Sequence, residues 1–243
     1  MRLSRLALGS GLVISALGLT ACSSAAPTSS SYAPLTSNAS ASPMGTAAAG
    51  GALHCSTPPA HPSSAQHEKL PDKSLAAGKT FTATITTNCG TITVRLDGTK
   101  APQAVASFLQ LAKGYWDDSP CHRLTTQGIY VLQCGDPTGT GTGTPGYGFG
   151  IENDPANADY PTGTLAMART SSADGNGGQF FFVYQDSTIP PDQFGGYTIF
   201  GQVTQGMNIL RGIADEGTST QTGDGPPKQP ISILKVNVTQ KKA

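Results

Sequence analysis

From Leu6 to His67 the chain carries no Lys, Arg, Asp or Glu. Charged side chains are the ones a folded domain keeps on its water-facing surface. Everything that reads as globular therefore begins near residue 68. Over the 243 residues, 15 basic and 15 acidic groups balance to a formal charge of zero. That neutrality lacks the basic footprint of a nucleic-acid binder. The length suits one sizeable domain or two small ones.

The charge-free span has two parts. The segment MRLSRLALGSGLVISALGLTAC sets Arg2 and Arg5 before an apolar run and ends in Leu-Thr-Ala-Cys. This is the layout of an export signal. The run Leu6–Leu19 is shorter than the roughly 20 residues a membrane span needs. Ala21 before Cys22 resembles a bacterial lipobox. That resemblance implies cleavage of a lipoprotein signal peptide over residues 1–21 and lipid, palmitate included, on Cys22. An extracytoplasmic protein anchored to the cell membrane through Cys22 is the expected arrangement; the alternative is an ordinary cleaved signal peptide. Residues 22–78 are dominated by Ser, Ala, Thr, Pro and Gly. Such a segment buries too little apolar surface to offset its ordering entropy, so it reads as a disordered tether.

Beyond Cys22 there are four cysteines, Cys55, Cys89, Cys121 and Cys134. Four allow three pairings, and outside the cytoplasm disulfides persist. Cys121 and Cys134 flank an expected hairpin, which favours that pair and leaves Cys55 to join Cys89. No Cys-x-x-Cys is present, so zinc-ligand spacing is lacking and no metal site is expected.

The domain expected over residues 79–243 opens with a period of two. Phe81, Ala83 and Ile85 alternate with threonines, Asn88–Gly90 gives a turn, and Ile92, Val94 and Leu96 alternate again, which predicts a hairpin. A helix follows from Pro102, with Val105, Phe108, Leu109 and Ala112 at helical spacing and Gly114 at its end. A second helix is predicted over Gly206–Ala214. Five further apolar runs are short and bounded by Gly, Pro, Asp or Asn. The pattern predicts a mainly β barrel or sandwich with two helical caps. The connections Asp136–Ile151 and Thr170–Gly178 are long and glycine-rich, as functional loops often are. TGTGTGTPGYGFG lacks the Lys-Ser/Thr of a phosphate loop and reads as a flexible surface loop.

Few residues in the domain could carry bond-breaking chemistry. Its one histidine, His122, adjoins Arg123 in a strand pattern, reads as structural, and no Gly-x-Ser-x-Gly is present, which argues against a serine hydrolase. Thiol exchange through Cys121 and Cys134 would need a low-pKa accessible thiol, which nothing in the sequence indicates. What stands out is Arg123, a cation among strand-forming residues with no acid after it until Asp136. With it remain, as candidates, the amides Gln133 and Gln179 and the apolar Tyr130, Val131, Met167, Phe181 and Phe200. One cation, two amides and aromatic walls suit an uncharged substrate with carbonyl acceptors.

The segments C-H-R-L…Q-C-G-D, T-L-A-M-A-R, G-N-G-G-Q-F-F-F and Y-T-I-F-G-Q-V resemble the cyclophilin family of peptidyl-prolyl cis–trans isomerases. They occur in that family's order over roughly Thr80 to Val238, most like its secreted, lipid-anchored actinobacterial members. The resemblance implies an eight-stranded antiparallel closed β-barrel capped by two α-helices. It implies isomerisation of X–Pro bonds in exported, unfolded proteins, without cofactor or metal, by a monomer. It makes Arg123 the donor toward the prolyl nitrogen and Gln133 the residue orienting it. Tyr130, Val131, Met167, Phe181 and Ile189 become walls of a proline pocket, with Tyr197 where the family has a histidine. Gln179 and the backbone of Ala168, Arg169 and Thr170 hold the chain before the proline. An acid paired with Arg123 would compete for its donors, so the absence of one nearby fits this role.

Several positions depart from the family pattern. Cys121 replaces a Phe, Leu124–Ile129 is longer than usual, and Tyr130–Val131 replaces a Phe-Met pair. Arg169 puts a cation at the expected substrate rim, and Ile189 or Phe194 takes the place of a Trp that aids cyclosporin binding. These put cyclosporin binding and catalytic efficiency in question. They also sustain a second reading, a binding module that holds proline peptides without useful turnover.

Overall fold

The computed structural model describes residues 53–241. The expected signal peptide, Cys22 and the expected tether as far as residue 52 lie outside the described residues. Alternation sets the first two strands as expected. β1 (Thr80–Thr87) buries every second residue, and β2 (Gly90–Asp97) returns with Phe81 opposite Leu96 and Ile85 opposite Ile92. Helix α1 spans Pro102–Leu111. Its cap residue Ala101 has no side chain able to bond the first-turn N–H groups. The Glu152 carboxylate, about fifty residues on, accepts instead from the N–H of Gln103 (3.0 Å) and Ala104 (2.9 Å), placing a negative charge at the positive end of the helix dipole.

The chain continues through β3 (Ser119–Pro120), β4 (Arg123–Thr125), β5 (Val131–Cys134), β6 (Asp159–Tyr160), β7 (Thr164–Arg169), β8 (Asn176–Val183), β9 (Ser187–Thr188) and β10 (Ile199–Gln205). Helix α2 (Met207–Glu216), β11 (Asp224–Gly225) and β12 (Ser232–Gln240) complete it. One antiparallel sheet runs in the order β11-β4-β5-β8-β7-β10-β2-β1-β12-β3. Eight of these strands have three or more residues, and the two-residue β11 and β3 sit at the ends. Only Cys121 and His122 separate β3, at one end of the sheet, from β4, the strand next to the other end. Among the described residues no ladder joins β11 to β3, so the expected closed barrel is here a strongly curled antiparallel sheet that stays open between its end strands. β6 and β9 form a separate two-stranded ribbon.

Inside the curl, Phe108 of α1 meets Trp116, Phe180 and Phe200 at ring-centroid distances of 4.7, 5.7 and 5.7 Å. Each of these buried rings contributes roughly 2–3 kcal/mol of apolar burial. α2 contributes Ile209, Leu210 and Ile213. It begins one residue later and ends two later than expected.

Both expected disulfides are present, Cys55–Cys89 and Cys121–Cys134. The first corrects the domain boundary expected at residue 78. Residues 53–78 form an extended strap against the domain, with a 3-10 turn over Lys73–Leu75. Leu53 covers Gly212 of α2. Ser56 N–H donates to Asn88 O (2.8 Å) and Asn88 Nδ2 donates back to Ser56 O (2.8 Å). Glu68 N–H donates to Pro145 O (2.7 Å), and Gln103 Nε2 donates to Pro71 O (2.9 Å). A segment of this composition gains order from such partners and from the disulfide, because its own apolar content is too low.

Candidate functional site

The outer face of the sheet carries a transverse row. Arg123 on β4 pairs with Gln133 on β5, Gln133 with Phe181 on β8, and Phe181 with Ala166 on β7. Directly opposed residues share a face, so these side chains project together, away from the main core. Alternation splits Phe180–Phe181–Phe182. Phe180 and Phe182 enter the main core, while Phe181 joins a second cluster with Val131, Tyr160, Ala166, Val183 and Ile189.

A pocket of about 470 Å³ opens over this row, walled by Val131, Phe181, Ile189 and Tyr197, with Arg123 and Gln133 at one side. An adjoining groove of about 630 Å³ shares Gln133, Gly141, Ala168 and Arg169 with it and continues past Thr170 and Gln179. Of the expected site residues, Arg123, Gln133, Val131, Ala168, Arg169, Phe181, Ile189 and Tyr197 line the pocket, and Thr170 and Gln179 line the groove. A break in β7–β8 register between Met167 and Arg169 lets the consecutive Ala168 and Arg169 both reach the site.

Two expected wall residues are corrected. Met167 pairs with Phe180 and so faces the main core, where it is 3% exposed. Tyr130 precedes Val131 and falls on the opposite side by alternation, stacking edge-on against Tyr184 at 6.0 Å. Ile129 takes its place in the pocket lining. His122, read as structural, also lines the pocket. Both its ring nitrogens are buried without hydrogen-bond partners, and burial pushes its pKa down, with nearby Asp136 opposing.

The expectation that Arg123 has no acidic partner is overturned. Arg123 Nε and Nη2 donate to Oδ1 and Oδ2 of Asp224, both at 2.7 Å. The hydrogen bonds from Arg123 hold the Asp224 carboxyl below the usual carboxylate range. Asp224 lies 101 residues from Arg123, so no local sequence signal connects them. The one hint is its setting between Gly223 and Gly225, typical of a shaped turn.

Arg123 Nη1 donates to Gln133 Oε1 at 3.4 Å, a long bond. Gln133 Nε2 donates to Gln179 Oε1 (2.9 Å), and Gln179 Nε2 donates to Gly141 O and Gly143 O, both at 3.0 Å. The two carbonyls fix which end of the Gln179 amide faces the loop. That in turn fixes Gln133, whose oxygen is left facing Arg123.

Arg169 is not a free cation at the rim. Its side chain is 2% exposed. It donates to Asp192 Oδ1 (2.6 Å), Gly196 O (3.0 Å), Thr170 O (3.1 Å) and Gly195 O, and its Cζ lies 5.3 Å from the Tyr197 ring centroid. It ties β7 to the 190–196 loop between Ile189 and Tyr197. Phe194 stands exposed on that loop and does not line the pocket.

The glycine-threonine loop is held rather than loose. The Asp136 carboxylate, fully buried, accepts from Thr138 N–H and Oγ1 (both 2.8 Å), Thr140 Oγ1 (3.1 Å), Gly141 N–H (2.7 Å) and Gly143 N–H (3.0 Å). Burial pushes this carboxyl up, and the bonds from Gly143, Thr138 and Thr140 outweigh it, so its net shift is downward. The N–H groups of Gly141 and Gly143 thus serve Asp136, while their carbonyls serve Gln179.

The family model for cyclophilin type peptidyl-prolyl cis-trans isomerase matches residues 82–238. A probable peptidyl-prolyl cis-trans isomerase B of Mycobacterium leprae is 37% identical over 201 residues, 74% of this chain and 65% of that protein. Its namesake in Mycobacterium tuberculosis is 37% identical over 199 residues, 75% of this chain and 63% of that protein. The chain thus spans somewhat less than two thirds of the length of these relatives. Among solved structures, a cyclophilin type isomerase of Cryptosporidium parvum superposes with a TM-score of 0.55 at 30% identity, covering 67% of this chain and 99% of that one. The same protein, solved in the presence of the dipeptide Ala-Pro, gives 0.54 at 31% identity, covering 66% and 99%. With its fold, its transverse row and the family match over residues 82–238 in agreement, the chain belongs to the cyclophilin family.

Proposed function

We propose that this protein is a peptidyl-prolyl cis–trans isomerase acting on X–Pro bonds of exported proteins, whose folding it assists. The observation that carries the reading is the Arg123–Gln133 pair beside an apolar pocket walled by Val131, Phe181, Ile189 and Tyr197. The pocket takes the proline ring. The barrier to rotation, roughly 18–20 kcal/mol, comes from double-bond character in the C–N bond. No covalent bond breaks, so neither a nucleophile nor a base is needed. As the amide twists, its nitrogen becomes pyramidal and its lone pair, no longer shared with the carbonyl, localises there, where Arg123 donates to it. That bond is worth more in the twisted state than in the planar one, so it lowers the barrier. Gln133 orients Arg123, and Gln179, Ala168 and Thr170 hold the preceding chain along the adjoining groove. The relative solved in the presence of Ala-Pro supports a proline-containing ligand.

Export is supported by the two disulfides, which persist in oxidising compartments, and by the signal-like N-terminus. Lipid on Cys22 would hold the domain at the outer face of the membrane. Incorporation of labelled palmitate, lost in Cys22→Ser, tests that part.

The activity is tested by exchange of a proline tetrapeptide with wild type and Arg123→Ala. The wild type is expected to accelerate exchange, and the variant to lose about 100-fold of it. A second reading, a recognition module, is favoured by the carboxylate of Asp224 on two of the five Arg123 donors. A wild type that binds the peptide without accelerating exchange would establish it.

A further inference from the structure

We propose that Asp224 is a positioning residue for Arg123, delivered to the pocket by a loop built for that purpose. The inference rests on the isomerase reading above and deepens it.

The loop from Gly217 to Pro227 runs from α2 to the edge of β4. Within it, Asp224 stands opposite Thr125 and Gly225 opposite Leu124. Thr125 and Arg123 are two residues apart on one strand and share a face, so Asp224 and Arg123 are diagonal cross-strand neighbours within reach of long side chains. The backbone is shaped to keep this register. Gly223 has φ 70° and Gly225 φ 156°, conformations that side chains other than glycine rarely adopt. A Cβ on Gly225 would also meet Thr220 Cγ2 at 2.6 Å. Thr126 N–H donates to Gly223 O (2.8 Å), and the hydroxyls of Thr220 and Thr222 donate to Asp224 O (2.7 and 3.1 Å). These bonds fix the backbone of Asp224 and leave its carboxylate to Arg123.

The bidentate pair uses the side of the guanidinium formed by Nε and Nη2. Gln133 takes one proton of Nη1. Two of the five donors remain, one on each of Nη1 and Nη2. The acid therefore does not exhaust the cation. It selects one orientation for a side chain that is 40% exposed and would otherwise sample several rotamers of similar energy. Gln133 alone is a weak guide at 3.4 Å. A two-point carboxylate fixes both position and plane. Misplacing a donor by about 1 Å is enough to cost up to a hundredfold in rate.

The test uses the full chain and three readouts. Asp224→Asn is expected to lower kcat for a proline tetrapeptide roughly tenfold, with KM within about twofold and the urea midpoint close to wild type. Asp224→Glu, which restores a two-oxygen acceptor, is expected to recover most of the loss. The side-chain Nε–H resonance of Arg123 is expected to be sharp and slow to exchange in wild type and to broaden in Asp224→Asn. An active wild type matched or exceeded by Asp224→Asn would overturn the proposal and make Asp224 a bystander or a competitor. So would an unchanged Nε–H resonance, or an Asp224→Glu variant no better than Asp224→Asn. A wild type without activity would overturn the isomerase reading itself, and this role with it.

Discussion

Two loops rich in glycine and threonine border the site, and each is organised by one aspartate. In the first, Asp136 turns inward and gathers five hydrogen bonds from residues two to seven places ahead of it. In the second, Asp224 turns outward and spends both oxygens on Arg123, 101 residues away. The first carboxylate is fully buried, and the second side chain is 50% exposed. Asp136 gives its loop a shape; Asp224 borrows its loop's shape to act on something else. The two are joined by one polar chain, from Asp224 through Arg123, Gln133 and Gln179 to the carbonyls of Gly141 and Gly143. The N–H groups of those same two glycines end on Asp136.

The strongest way to break this contrast is Asp136→Asn. The substitution is nearly isosteric, yet no orientation of the amide suits the site. One oxygen of Asp136 accepts from Thr138 N–H and Oγ1, the other from Thr140 Oγ1, Gly141 N–H and Gly143 N–H. An NH₂ in either position faces at least one backbone donor. Leaving buried donors unpaired costs on the order of 3 kcal/mol here. Urea denaturation should show that loss, whereas Asp224→Asn should keep nearly all of the wild-type stability. Equal losses in the two variants would erase the distinction between a loop-forming and a loop-borrowing acid.

The pH profile sharpens the contrast. Both carboxyls are held below their usual value, Asp136 by its loop against the cost of burial and Asp224 by Arg123. A depressed acid stabilises the fold above its unfolded pKa, about 3.9, and that contribution is lost as pH falls through the folded value. His122, depressed mainly by burial, adds an earlier step. Its unfolded form takes up a proton near pH 6.5 while the buried ring resists, so stability starts to fall there. Stability measured from about pH 8 to pH 2 should therefore decline in two stages. Asp136→Asn should flatten the lower stage and leave the upper one. An unaltered lower stage in that variant would show that other carboxylates govern acid unfolding.

The same two acids show why part of this molecule was legible in the sequence and part was not. Periodicity found β1, β2, α1 and α2, because a strand or helix buries its own repeating face. The transverse row was legible only through family motifs, since Arg123, Gln133 and Phe181 meet by strand register. Met167 and Tyr130 went to the wrong side because a motif names neighbours along the chain, while alternation decides which of them faces the pocket. The Asp136 loop read as flexible, because glycine and threonine carry no apolar pattern; its order comes from one buried carboxylate. The strap over residues 53–78 read as tether for a related reason. Its ties to Asn88, Gln103 and Pro145 lie far off in the chain, and composition alone cannot register them. Asp224 escapes the sequence reading, since its flanking glycines mark a turn but a pairing across 101 residues leaves no local sign of its partner.

The smallest expected effect concerns salt, and it separates the two acids by exposure. The Arg123–Asp224 pair stands 40% and 50% exposed. Exposed ion pairs are worth about 0–1 kcal/mol and are screened by salt. The Debye length falls from about 10 Å at 0.1 M to about 3 Å at 1 M. The Asp136 interactions are hydrogen bonds inside a closed loop, where counterions do not reach. The stability difference between wild type and Asp224→Asn should therefore be about 0.5 kcal/mol at low salt and fade toward none at 1 M. The difference for Asp136→Asn should persist unchanged. The orientation of Arg123 is another matter, since it depends on the two contacts at 2.7 Å and less on the long-range field. So the kcat deficit of Asp224→Asn should survive 1 M salt even where its stability deficit does not. If both fade together, the pair works through charge alone, and the two-point geometry contributes nothing to catalysis.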